Sequence, residues 1–180
     1  MAYTLCLWDP ARHAPMPVDA DDALATMERL SGQSDSWNPR LVDAGTALMG
    51  QGDGRVAADG ASAIAYWGSD LRQATIDCAT AVYRLTLPGE DDDCIAQIGA
   101  VVTVAGTCGL VVVDDENGMC FLPDGQVFPE DMRELWAAQL ADALAGPVDP
   151  ATVPPDNRTF AQTLFSELFD AIGRGNRRIS

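Results

Sequence analysis

Apolar residues in this chain recur in two rhythms, one of period two and one near three and a half. Gly, Pro, Asn and Asp mark the changes between them. Tyr3–Trp8 mixes β-branched, aromatic and aliphatic residues and predicts a first strand. Asp9-Pro10 ends it, because proline cannot donate to a ladder. Residues 11–18 are rich in proline and predict a fixed loop. Asp19 then offers an N-cap, with Asp22 in the first turn. Leu24, Met27 and Leu30 carry the helical spacing on to Gly32. Asn38-Pro39 pairs an N-cap with a proline at the first helical position, so a second helix should follow and bury Leu41, Leu48 and Met49. Trp37, just before the cap, reads as a hydrophobic staple. Gly50-Gln51-Gly52-Asp53-Gly54 stops that helix.

Residues 63–67 read as a candidate strand, and 81–87 as a stronger one, because Val82, Arg84 and Thr86 alternate with Tyr83, Leu85 and Leu87. Pro88-Gly89 turns the chain into Glu90-Asp91-Asp92-Asp93. Cys94, Ile95, Ile98, Val101, Val102 and Ala105 then predict a helix with acids at its positive end and Gly109 as its left-handed cap. Leu110–Val113 and Met119–Leu122 predict two strands joined through Asn117-Gly118, a strong hairpin signal. Pro129 opens a further helix, with Met132, Leu135, Trp136, Leu140 and Leu144 as its apolar face. Four prolines lie between Gly146 and Asp156. Beyond them Phe160, Leu164, Phe165, Leu168, Phe169 and Ile172 form one stripe of an amphipathic helix.

The inner order, strand–helix–strand–strand–helix–strand, predicts an α+β fold. We expect a ferredoxin-like or related antiparallel sheet with helices packed on one face, plus a C-terminal helical extension. The domain expectation is a single α+β domain over 1–146, a proline-rich linker over 147–158, the amphipathic helix at 159–173 and a basic tail at 174–180.

Charge narrows the function classes. The chain has 180 residues and a formal net charge of −16, from 27 acids against 11 basic residues, all of them arginine. A field of that sign repels nucleic acid and anionic lipid and attracts basic protein surfaces. The apolar run Ile98–Val113 is broken by Gly99, Gly106 and Gly109 and is short of a membrane span. With no basic segment before the short apolar start, no signal peptide is expected, and five scattered cysteines suit a reducing compartment; the expected location is the cytoplasm.

No reaction is written in the motifs. His13 is the single histidine and no CxxC pair exists, so a zinc site is not expected. Asp114-Asp115-Glu116-Asn117-Gly118 lacks the ligand spacing of a calcium loop and reads as a turn. There is no G-x-S-x-G elbow and no phosphate loop with its lysine. The expectation is no catalytic residue, no metal and no cofactor. The candidate partner-binding residues are the acids Glu90, Asp91, Asp92, Asp93, Asp114, Asp115 and Glu116, which could steer a basic partner, and Tyr66 and Trp67, which could anchor it.

The opening Tyr3-Thr4-Leu5-Cys6-Leu7-Trp8-Asp9-Pro10 and the later Cys108-Gly109-Leu110-Val111-Val112-Val113-Asp114, leading to Phe121-Leu122-Pro123, resemble small bacterial immunity proteins. Such proteins are paired with polymorphic toxins, including those delivered by type VI secretion. The resemblance covers about residues 3–145 and carries no site residues. It implies a cytoplasmic, non-enzymatic protein that binds and neutralises a cognate basic toxin domain, with no nucleic-acid or membrane partner. Two alternatives stand beside it. One is an adaptor or oligomerising scaffold, with a homodimer formed through 159–173. The other is a small enzyme using a carboxylate or cysteine site.

Overall fold

Residues 82–87 form a strand with Arg84 and Thr86 exposed between buried neighbours, as their alternation predicts. The computed structural model describes residues 3–13, 15–35, 37–50, 66–69, 71–72, 80–87 and 92–145. Its strands are β1 (Tyr3–Trp8), β2 (Val82–Leu87), β3 (Val111–Asp114), β4 (Met119–Phe121) and β5 (Val127–Phe128). Its helices are α1 (Pro10–His13), α2 (Ala20–Leu30), α3 (Pro39–Met49), α4 (Asp92–Thr107) and α5 (Met132–Ala145). The strands form one five-stranded sheet in the order β2-β1-β3-β4-β5, antiparallel at every junction. The expected α+β antiparallel fold is therefore present.

The register divides the side chains. Leu5, Leu7, Tyr83, Leu85, Val112, Met119, Phe121 and Val127 share one face. They form the larger core with Leu41, Ala44 and Leu48 of α3, Ile98, Val101 and Val104 of α4, and Trp136 and Leu140 of α5. Cys6, Trp8, Val111, Val113 and Cys120 share the other face, which α2 covers with Ala23, Met27 and Leu30. The expectation of helices on a single face is thereby corrected. β1 and β3 are apolar at successive positions, and such a strand needs cover on both sides.

The strand order corrects the finer topology as well. β2 and β3 run parallel to each other with β1 between them, so β2–α4–β3 is one split βαβ unit. A ferredoxin-like sheet needs two such units. Here β3, β4 and β5 continue as a simple meander instead.

Helix ends follow their capping chemistry. Asp19 accepts the backbone N–H of Asp22 at 2.8 Å, and Asn38 accepts that of Arg40 at 3.0 Å. Gly109 ends α4 at φ 74°. That left-handed geometry disfavours any residue with a Cβ. Five local expectations fail. Residues 10–13 are helical, because Asp9 caps them through the N–H of Ala11 at 3.0 Å. Residues 66–69, expected to end a strand, are helical. On α5, Leu135 and Leu144 are exposed while Trp136 and Leu140 are buried, and on α3 Met49 is exposed. Trp37 is 57% exposed and does not serve as a staple. The terminal segment 159–173 lies outside the described residues.

Candidate functional site

The polar groups best fixed in space gather where β1 ends. Asp9 is buried and bonded on several sides. One oxygen, Oδ1, accepts from Ala11 N and from Arg40 Nη1 at 2.9 Å, and Oδ2 accepts from the buried Asn38 Nδ2 at 3.3 Å. The Arg40 guanidinium lies along the backbone of Gly109, where an added Cβ would sit 3.2 Å from Nη1. Beside this group, His13 Nε2 lies 2.7 Å from Asp35 Oδ2, and Arg12 Nη2 lies 3.3 Å from Asp35 Oδ1. Arg12 Nη1 also donates to the Trp37 carbonyl at 2.9 Å. Together these bonds fasten α1 and the segment 35–40 to the end of β1. A His–Asp pair can orient an imidazole for proton transfer, but here the same carboxylate also holds Arg12. The cluster thus acts as a clasp that joins three chain segments.

The opposite end of the sheet carries the predicted acids. β1 and β2 pair with Tyr3 opposite Leu87, and β3 ends at Asp114 opposite Leu5. The β3–β4 hairpin therefore projects from the Tyr3 end. α4 starts at Asp92 and leads down toward the start of β3, which places Asp92 and Asp93 at that same end. Their neighbours Glu90 and Asp91 lie outside the described residues.

Within the hairpin the carboxylates divide by role. Asp114 is 1% exposed. Its Oδ1 accepts the backbone N–H groups of Glu116 and Asn117, both at 3.1 Å, and its Oδ2 accepts from Asn117 Nδ2 at 3.0 Å. Those bonds close the turn, so Asp114 is corrected from a contact residue to the turn's internal acceptor. Gly118 completes the turn at φ 62°. Asp115 and Glu116 remain exposed, as a contact role requires.

Two of the described thiols lie among these elements, with α2 packed against β3 and β4. Burial pushes the Cys120 thiol up to about 12, and the charge of Asp22 adds to the rise. Burial also raises Cys6; Arg84 opposes that rise and Asp115 reinforces it. Cys6 and Cys120 both lie on the sheet face that α2 covers. Asp22 is on α2, and Asp115 lies in the turn between β3 and β4, the strands against which α2 packs. Asp21 and Glu28, two helical turns apart, are exposed on the outer surface of α2. The acids of α2 thus stand on a helix that adjoins the hairpin strands, a proximity that their sequence separation concealed. Arg84, reaching Ser31 Oγ at 3.3 Å from β2, is a cation at the end of α2.

Cys108 is raised as well, by burial first, with the Thr107 hydrogen bond and Arg40 lowering it and Asp43 raising it. A thiol held protonated is a poor nucleophile. We predict that Cys6, Cys108 and Cys120 resist iodoacetamide at pH 8 in the native chain and react after denaturation, read by peptide mass mapping. The linkage has a definite sign. The folded state keeps a proton on Cys120 that the unfolded chain releases near pH 9.0, so this contribution to stability is complete below pH 9 and declines as pH rises toward 12. Urea unfolding should show that decline, and Cys120→Ala should reduce it.

The predicted anchors separate. Tyr66 is 70% exposed and stays available for contact. Trp67 is 3% exposed and packs in the larger core, which corrects its assignment as an anchor. No group of three or more metal-ligating side chains occurs among the described residues, and no described helix is long and apolar enough to cross a membrane. Sequence reasoning missed the clasp. Its signals were Asp9 before Pro10 and Asn38 before Pro39, two capping residues that become partners only when β1 and α3 meet. Comparison with family models, with curated proteins and with solved structures finds no match to this chain.

Proposed function

We propose that this chain is an immunity-type binding protein that neutralises a cognate basic toxin domain through an acidic surface. The observation that carries the reading is that α2, with exposed Asp21, Asp22 and Glu28, packs against the two strands whose hairpin exposes Asp115 and Glu116. Asp22 helps order the start of α2 by accepting the Val18 N–H at 3.1 Å, while Asp21, Glu28, Asp115 and Glu116 project outward. Capping a helix or closing a turn takes one or two carboxylates. The surplus supplies a negative field that speeds encounter with a basic surface and selects against acidic ones. Tyr66 is an exposed aromatic of the kind that anchors contacts.

The non-enzymatic part of the reading rests on how the reactive groups are employed. His13, Asp35, Asp9 and Arg40 hold segments together, and the described thiols are held protonated. The test is co-expression with a basic toxin domain encoded by a neighbouring gene, where one is found. Cells should survive with the wild-type chain. Survival should fall in the quadruple variant Asp21→Asn, Glu28→Gln, Asp115→Asn, Glu116→Gln. Killing that the wild-type chain leaves unchanged, with no complex at low salt, would overturn the proposal.

A further inference from the structure

The dipeptide that closes the β3–β4 hairpin, Asn117-Gly118, is also a reactive one. An asparagine followed by glycine can cyclise, because the next backbone nitrogen can reach the side-chain carboxamide and no Cβ crowds its approach. Asn117 is exposed and Gly118 half-buried, so water reaches the pair. A Cβ added at Gly118 would meet no heavy atom within 4 Å among the described residues, its chain neighbours aside. That flank of the pair is open.

The turn itself opposes the reaction. Asn117 Nδ2 donates to Asp114 Oδ2 at 3.0 Å, and Asn117 N donates to Asp114 Oδ1 at 3.1 Å. The same carboxylate takes both groups, so the carboxamide is turned toward its own N–H and not toward that of Gly118. Asp114 is buried and also accepts from Glu116 N, which fixes it in place. Ring closure rotates the carboxamide away and gives up a bond to a charged acceptor.

We propose that Asn117-Gly118 is a self-modifying site and that Asp114 sets its rate. The Gly118 backbone nitrogen gives up its proton to water and attacks Asn117 Cγ. The N–Cγ bond forms, the Cγ–Nδ2 bond breaks, and Nδ2 takes up a proton and leaves as ammonia. Water then opens the cyclic imide at one carbonyl or the other, leaving aspartate or isoaspartate. Water is the only co-reactant. Either product loses the Nδ2 donor and gains a carboxylate, and a carboxylate cannot donate to Asp114. Modification therefore loosens the turn and adds negative charge to the hairpin that exposes Asp115 and Glu116. The inference stands apart from partner binding, and its test contains no partner.

The experiment incubates the full native chain at neutral and at mildly alkaline pH. Peptide mass mapping and an isoaspartate assay follow Asn117. The wild type should convert slowly, and faster at the higher pH, because the attacking nitrogen must lose its proton. It should convert about tenfold more slowly than the same chain in urea, the factor that one bond to a charged group supplies. Asp114→Ala should approach the urea rate. Asp114→Asn, which keeps the shape and a weaker acceptor, should fall between them while circular dichroism shows the fold retained. Asp115→Asn, on the same turn, should match the wild type. A native wild type as fast as the chain in urea, or a folded Asp114→Asn no faster than the wild type, would overturn the role of Asp114. Asn117 left intact in urea would overturn the site.

Discussion

Gly68→Ala is expected to lower the melting temperature by on the order of 10 °C, a loss of about 3 kcal/mol in a chain of this size. The reason is a helix crossing with no room for a Cβ. A Cβ at Gly68 would lie 2.6 Å from the Met49 backbone nitrogen and closer still to the Gly45 carbonyl oxygen. A Cβ at Gly45 would lie 2.7 Å from the Gly68 carbonyl oxygen and 2.9 Å from the Arg72 nitrogen. These obstacles are backbone atoms, which cannot swing aside, so the two helical segments must separate. Separation loosens Trp67 and Leu71 from Leu41, Ala44 and Leu48. Gly45→Ala should have a similar effect, and the double variant should cost less than the sum, because one separation relieves both clashes. Gly50→Ala is the control: its nearest obstacle is 3.5 Å away and its φ of −84° suits any residue. Thermal unfolding followed by circular dichroism gives all four values.

The second large effect belongs to the clasp. Asp9→Ala should destabilise the chain by about 3 kcal/mol, combining a lost cap with buried donors left unsatisfied. The buried Asn38 amide loses its acceptor, Ala11 N loses its cap, and Arg40 loses its carboxylate. The Arg40 share is the smallest, because that guanidinium is 44% exposed and water replaces part of the bond. Asp9→Asn retains the shape and one acceptor and should cost about half as much. Denaturant unfolding at pH 7 separates the two variants. Equal, negligible losses would show that the clasp does not hold the end of β1.

The elements that were legible from sequence share a property: their signal is local. Asp19, Asn38-Pro39 and Gly109 act within one helical turn, and the alternation of residues 82–87 needs no distant partner to be recognised. The failures share the opposite property. Residues 66–69 are helical and lie against α3 where Gly45 and Gly68 leave room, a close contact that no local propensity records. Among the described residues α2 covers the second face because β1 and β3 are apolar on both faces, a demand visible once their neighbours are known. The candidate site was legible in kind and not in membership. Asp115 and Glu116 stay exposed while Asp114 turns inward, since a hairpin of this geometry needs an acceptor for its own N–H groups. The acids of α2 read as caps alone, and their proximity to the hairpin strands required the fold.

If the acids of α2 and of the β3–β4 hairpin steer a basic partner, its association kinetics will depend on them and on salt. The measurement is the association rate constant with the isolated toxin domain at about 20 and about 200 mM salt, where screening lengths differ about threefold. The wild-type rate should fall about tenfold across that range. The variant Asp21→Asn, Glu28→Gln, Asp115→Asn, Glu116→Gln should start about tenfold slower and depend little on salt, with its unfolding midpoint unchanged. A wild-type rate that ignores salt, or a quadruple variant as fast as the wild type, would show that these acids do not steer association.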